Sequence, residues 1–302
     1  VAETGGTTRT VLVATAANGL IAVAKGVAAV LTGSAALLAE TLHSVADTAN
    51  EVLLFVGLRR SERRVDPEHP FGWGQERYFW SLLAAVGIFV VGGVASVYEG
   101  VRALREPEPL GSVWPGVAVL VLSAALEGWS WRTARRELSG DAARRRMSRR
   151  RFMQVSSDPA ATTVYLEDSA ALVGIALALS ALLLHAATGD AVWDGLASIL
   201  IGLLLVAVAF VLVRRNQALL VDTSAPQPLV DDLRRVVGAH GWVREVPALS
   251  AVWIGPRRLL VVVDVRVDPE GPAAGLVQDV ARLREELLHR PYVARAEVTP
   301  VP

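Results

Sequence analysis

The chain has 302 residues, 52% of them hydrophobic, and a mean hydropathy of +0.40, too apolar for an ordinary soluble domain of this size; it reads as a polytopic membrane protein. The formal net charge of +0 removes any bulk electrostatic case for nucleic acid, and the absence of cysteine excludes disulfides and thiolate metal sites, so a metal must be held by oxygen and imidazole. Val1 in place of Met points to a trimmed start, and no cleavable signal is visible ahead of the first apolar stretch.

A transmembrane helix needs about 20 apolar residues to cross about 30 Å of hydrocarbon, and hydropathy predicts six spans. The first, near 10–31, carries Asn18 and Lys25 on one face, with Lys25 available to neutralise Glu40 or Glu127. The second, near 35–58, holds Glu40, His43, Asp47 and Glu51, at spacings that keep all of them on one side of a helix. Each ionisable group at membrane depth costs roughly 2.5 to 3.5 kcal/mol on insertion scales, so the stripe requires a partner, a water-filled path or a bound ion. Neutral imidazole from His43 and carboxylate from Asp47 can face one ion, a donor pair suited to zinc and its neighbours; a hydrogen-bonded pair holding two helices together is the plainer alternative. Glu40 and Glu51, near opposite ends, read as vestibule or snorkelling residues.

The third span, near 77–101, contains Gly87, Gly92, Gly93 and Gly100, which suit close helix packing within a rocking bundle or at a dimer contact. The fourth, near 114–131, carries Glu127. In the fifth, near 160–185, Glu167 and Asp168 lie mid-helix and point about 100° apart, so each can face a different neighbour. The sixth, near 192–213, opens on Asp194, read as the cap of its own helix; His185 at the end of the fifth reads as interfacial. Arg59, Arg60, Arg63 and Arg64 follow span two, and Arg132, Arg135, Arg136, Arg144, Arg145, Arg146, Arg149, Arg150 and Arg151 follow span four. Positive loops stay inside, so both termini are expected in the cytoplasm of a protein of the cell's inner (plasma) membrane.

Beyond Arg214 and Arg215 the composition becomes that of a soluble domain, dividing the chain into 1–214 and 215–302. A helix at 226–239, strands at 248–254 and 259–267, a helix at 272–289 and a strand at 293–298 give the order αββαβ. The expected fold is therefore an all-α six-helix transmembrane domain followed by a cytoplasmic α+β ferredoxin-like domain. One sheet face should pack on the helices and the other should be free to pair with a second copy, which predicts a homodimer.

Two motifs make a family resemblance specific. The run Leu37-Leu-Ala-Glu-Thr-Leu-His43-Ser-Val-Ala-Asp47, followed by Asp66-Pro-Glu-His69-Pro-Phe-Gly-Trp-Gly74, resembles the cation diffusion facilitator family of divalent-metal/proton antiporters, and the likeness covers essentially the whole chain. Leu166-Glu-Asp-Ser-Ala-Ala and Tyr78-Phe-Trp80 are similar to the branch that includes the mitochondrial zinc exporters of animals. The resemblance implies a tetrahedral transport site with ligands from helices 2 and 5: His43, Asp47 and Asp168 match, while Val164 occupies the first helix 5 slot. Glu167, one turn from Val164, is the proposed substitute, with Asn50 or a water as alternatives. It also implies a secondary site after helix 2, where His69 matches with Asp66 and Glu68 nearby and Trp73 stands in place of a second His. In the tail, His240, His289, Asp264 and Asp268 are too sparse for a regulatory site.

The implied activity is export of a divalent cation, zinc foremost, from the cytoplasm in exchange for protons, with no resident cofactor. Manganese, iron, cobalt and nickel stay open as preferred ions. A non-transporting metal sensor or scaffold is the rival reading. No His-Glu-x-x-His or Ser/His/Asp arrangement is present, so an enzyme is not expected.

Overall fold

The computed structural model describes residues 4–107, 109–144, 148–155, 160–267 and 273–301. Arg145 and Arg146 of the basic cluster, the Arg151 side chain, and Asp268 of the tail lie outside the described residues. Two compact units divide the chain, one comprising Val1–Arg59, Phe79–Met153 and Pro159–Asn216, the other Arg60–Tyr78, Gln154–Asp158 and Gln217–Pro302.

The first unit is built from long helices: α1 (Thr4–Thr32), α2 (Ala35–Ser61), α3 (Glu76–Gly87) running through a π-helical stretch (Ile88–Val94) into α4 (Ala95–Arg105), α5 (Trp114–Arg144), the short α6 (Arg149–Val155), α7 (Ala160–Thr188) and α8 (Val192–Leu220). Among the described residues four stretches are long and apolar enough to cross a membrane: Thr15–Thr32, Glu76–Arg105, Thr162–Thr188 and Val192–Leu220. Helices α2 and α5, with 27 and 31 residues, are as long but more charged. The burial pattern is inverted relative to a water-soluble bundle. Leu20, Val30, Val90, Leu122, Leu203 and Phe210 are exposed, whereas Lys25, Glu40, His43, Asn50 and Glu167 are buried. An apolar exterior of this extent belongs against lipid.

Two helices outrun their apolar segments. Helix α5 continues to Arg144 rather than ending near 131, because residues 132–144 are rich in Arg and Ala, good helix formers once outside hydrocarbon; Leu138 and Ala142 then pack on Phe152 of α6. Helix α8 likewise passes Arg214 and Arg215 and ends at Leu220.

Helix ends explain how α2 is placed. Gly33, with φ of 71°, takes the left-handed conformation that stops α1, its N–H reaching the Ala29 carbonyl at 2.8 Å. Ser34 then caps α2, its hydroxyl accepting from the Leu37 N–H at 3.1 Å. Asp194, expected to cap its own helix, instead serves α2: its carboxylate accepts from the Ser34 hydroxyl at 2.5 Å and from the N–H groups of Ala35 (2.5 Å) and Ala36 (3.3 Å). The start of α2 is buried and its free N–H groups need acceptors, while the start of α8 is served by Asp190, which accepts from the Val192 N–H at 2.9 Å. Asp194→Ala is expected to destabilise the protein by about 1–2 kcal/mol, read as an earlier thermal unfolding transition in detergent.

The glycines of the third apolar stretch pack within the chain. A Cβ added at Gly100 would stand 2.7 Å from the Gly195 carbonyl oxygen, and one at Gly202 2.8 Å from that of Gly93, so α4 and the π-helical stretch lie directly on α8. Gly87 faces open space.

The second unit carries a three-stranded sheet in the order β1-β2-β3, with β1 (Val243–Gly255) antiparallel to β2 (Arg258–Val267) and β3 (Val293–Val301) parallel to β2. Helices α9 (Gln227–Gly238) and α10 (Ala273–Leu288) complete the order αββαβ, α10 making the crossover that parallel strands require. Strand β1 starts at Val243, earlier than its hydrophobic pattern suggests, because pairing with the far end of β2 carries it to Val243↔Val267 through two irregularities. Leu259, Val261, Val263 and Val265 alternate inward onto Leu233, Val237, Leu283 and Leu287, and Tyr78 is buried in the same core.

Candidate functional site

The site begins with α1 and α2, which run antiparallel and exchange polar contacts in opposite chain order. Asn18 donates to Glu51 at 2.5 Å. Lys25 lies 3.0 Å from Glu40 Oε2 and donates to the Ser44 hydroxyl at 2.8 Å. Lys25 thus neutralises Glu40, and the expectation that Glu40 is a vestibule or snorkelling residue is corrected. Its carboxylate is fully buried, which a dedicated counter-charge makes tolerable. Glu51 is partly buried and held by Asn18.

His43 is buried, with Nε2 3.3 Å from Asp47 Oδ2 but without hydrogen-bond geometry. Among the described residues, both ring nitrogens and Asp47 Oδ1 have no hydrogen-bond partner. Buried polar atoms are rarely left so, and here they belong to an imidazole and a carboxylate, side-chain types able to ligate metal, one helical turn apart. The alternative of His43 and Asp47 as a hydrogen-bonded strut between helices finds no support in these atoms, which make no hydrogen bond to another helix among the described residues.

Asp47 opens onto a cavity of about 210 Å³ whose lining includes Asn18 of α1, Ser44, Asn50 and Glu51 of α2, Glu127 and Ser130 of α5, and Val164, Glu167 and Asp168 of α7. Its carboxylates are Asp47, Glu51, Glu127, Glu167 and Asp168, and among the described residues no Lys, Arg or His is in the lining. A low-dielectric pocket with that charge imbalance attracts cations, protons included. Asn50 donates to both Glu167 oxygens, at 2.8 and 2.6 Å, and Ser130 donates to Asp168 Oδ2 at 2.7 Å. The consecutive acids of α7 therefore face two different helices, as their angular separation predicts. Val164 lines the cavity but offers no donor atom.

Asp47, Asn50, Glu167 and Asp168 are thus brought to one cavity, with His43 a turn behind Asp47 and outside the lining. Among the described residues no group of three His, Asp or Glu side chains is drawn together closely enough to hold an ion. Asn50 and Ser130 occupy the α7 carboxylates instead. Ser130 and Ser44 were not singled out by sequence; the available signal was that Ser130 follows Glu127 by three residues, on the same face of α5.

The loop residues form a separate arrangement. Asp66 Oδ1 takes the His69 ring at 3.0 Å and the His69 N–H at 2.7 Å, Asp66 Oδ2 takes the Trp73 indole N–H at 3.0 Å, and the His69 and Trp73 rings stack at 3.5 Å. Desolvation raises the Asp66 pKa, but hydrogen bonds from His69 and Trp73 outweigh it and hold the carboxyl below its ordinary range. In the tail, His240 pairs with Glu286 at 3.0 Å, and His289 Nδ1 lies 2.7 Å from the Glu285 carbonyl oxygen.

Residues 11–221 match the family described as the cation efflux transmembrane domain. The chain belongs to the cation efflux family. Over 224 residues, 74% of the chain, it is 34% identical to the Xenopus laevis protein named proton-coupled zinc antiporter SLC30A9, mitochondrial, and 33% identical to the Homo sapiens protein of that name. Over 180 residues, 60% of the chain, it is 37% identical to metal tolerance protein C4 of Arabidopsis thaliana. These matches cover 39% to 40% of the relatives' own lengths. The cation efflux match contains His43, Asp47, Asn50, Glu167 and Asp168 and ends before α9. Cation efflux proteins are transporters rather than enzymes, and the apolar helices agree with a multi-pass membrane protein.

Proposed function

We propose that this cation efflux protein is a secondary antiporter that exports a divalent metal, zinc foremost, from the cytoplasm in exchange for protons. The observation that carries the reading is the carboxylate-lined cavity at Asp47, whose Oδ1, like both ring nitrogens of the neighbouring His43, has no hydrogen-bond partner among the described residues, inside helices whose exteriors are apolar. The names of the relatives, which pair zinc with protons, support it. In this reading α2 and α5 are spans as well, making six. Residues 1–214 are the transport domain, and residues 215–302 a cytoplasmic ferredoxin-like domain that dimerises and regulates. Both termini lie in the cytoplasm, and the membrane is the cell's inner (plasma) membrane.

His43, Asp47 and Asp168 are the proposed ligands, with Glu167 as the fourth in place of the residue that Val164 replaces. Loading exchanges donors: the ion draws Glu167 from Asn50 and Asp168 from Ser130, replacing two sets of hydrogen bonds with coordination. Zinc requires neutral imidazole and deprotonated carboxylates, so binding releases protons and acidification releases the ion. Zinc affinity should therefore fall as the pH is lowered. The cavity runs from Ser44 to Leu54 along α2, toward the end bearing Arg59 and Arg60, which supports loading from the cytoplasmic side. Rocking of the helix bundle around the site would expose it to the opposite side. The secondary loop site, Asp66 with His69, is assigned no transport role, because both Asp66 oxygens are already engaged within the loop.

The test is reconstitution of the full chain into vesicles containing a zinc dye and a pH dye. A zinc gradient should drive proton movement in the opposite direction, and an imposed proton gradient should drive zinc. Stoichiometric zinc binding with neither flux would overturn transport and assign a sensor.

A further inference from the structure

Lys25 and Glu40 are each completely buried in the first unit, although neither lines the cavity. A buried ion pair is seldom retained for stability, since apolar side chains of similar volume do as well or better; its attested use is to fix register between helices. The surroundings of this pair suit that use. The ammonium has three protons, of which one reaches Glu40 Oε2 and another the Ser44 hydroxyl. Glu40 and Ser44 bracket His43 on α2, and Ser44 belongs to the cavity wall. The second Glu40 oxygen, without a hydrogen-bond partner, presses on Gly174 of α7, where any Cβ would overlap it. Gly174 lies less than two turns beyond Asp168. Close packing flanks the pair on α1: a Cβ at Gly26 would stand 3.3 Å from Thr41, and one at Gly19 3.8 Å from Thr48.

We propose that Lys25 and Glu40 form a fixed joint between α1, α2 and α7 that positions the His43–Asp47 turn against the Asp168 segment. Lys25 has no lone pair to offer a metal while charged, so it acts through Glu40 and Ser44 as a positioning residue. Helices α1 and α2 then move as one body, and the motion that exposes the site takes place elsewhere. The joint rests on the transport reading only for its purpose; its geometry is independent of it.

Because the chain has no cysteine, spin labels can be attached at chosen sites. Val23→Cys and Val45→Cys place them on exposed positions of α1 and α2. In the full chain the interlabel distance should be single and narrow, with and without zinc. The double variant Lys25→Met/Glu40→Gln leaves no unpaired buried charge and should fold, which thermal unfolding checks. In it the distance distribution should broaden, and zinc binding, measured calorimetrically with the metal alone, should weaken about tenfold, the lower end expected for loss of groups that orient metal ligands. A distribution as narrow as that of the parent, or zinc affinity within about threefold of it, would overturn the proposal. If the parent itself binds no zinc, the transport reading fails, and the joint is decided by the distance measurement alone.

Discussion

Asp47→Ala should lower zinc uptake and the accompanying proton flux in proteoliposomes by about 100-fold or more, beyond the 10–100-fold range typical of groups that merely orient a ligand. Asp47 joins His43 to the cavity: it lies one turn from the imidazole, carries an oxygen without a hydrogen-bond partner, and stands in the cavity wall. Its loss would remove the cavity carboxylate that lies one turn from His43. Protonation of that carboxylate competes with the metal, so both fluxes should fall together. Asp47→Asn, which preserves shape, should fail almost as completely, because an amide neither takes up the proton nor balances a divalent charge. Transport by either variant at the parental rate, with thermal unfolding unchanged, sinks the assignment.

Glu167→Gln should weaken zinc binding by about 100-fold while shifting thermal unfolding little. The amide keeps the length of the side chain and can still meet Asn50, but it lacks the charge that the proposed fourth ligand would supply. Asn50→Ala should cost less, about tenfold, because Asn50 holds Glu167 in place without binding the ion in this reading. The converse pattern, an unfolding shift with zinc affinity intact, would make Glu167 a structural partner of Asn50. The fourth position would then pass to Asn50 or a water.

Some of this architecture was legible because it depends on local periodicity. Asp47 and Glu51, two of the four residues that spacing places on one side of α2, line the cavity, and Glu167 and Asp168 diverge as consecutive residues on a helix must. The αββαβ order of the tail follows from short alternating runs between turn signals. The ends of α5 and α8 were not legible from hydropathy, which marks where apolar composition stops and not where hydrogen bonding does. The role of Asp194 escapes the sequence for a related reason. A side chain near a helix start is ordinarily a cap for that helix, and nothing in a linear pattern reveals that the start of α2 is packed against it.

By itself the sequence determined that this is an apolar chain of long helices with ionisable groups at membrane depth, that any metal must be held by oxygen and imidazole, and which side chains could hold one. Periodicity and composition carry that information one element at a time. Only the tertiary structure decided partners. It gave Lys25 to Glu40 rather than to Glu127, Asn50 to Glu167, Ser130 to Asp168, and the carboxylate of Asp194 to a helix distant in sequence. A buried charge takes whichever counter-group packing brings within about 3 Å, and that distance is a property of how helices meet.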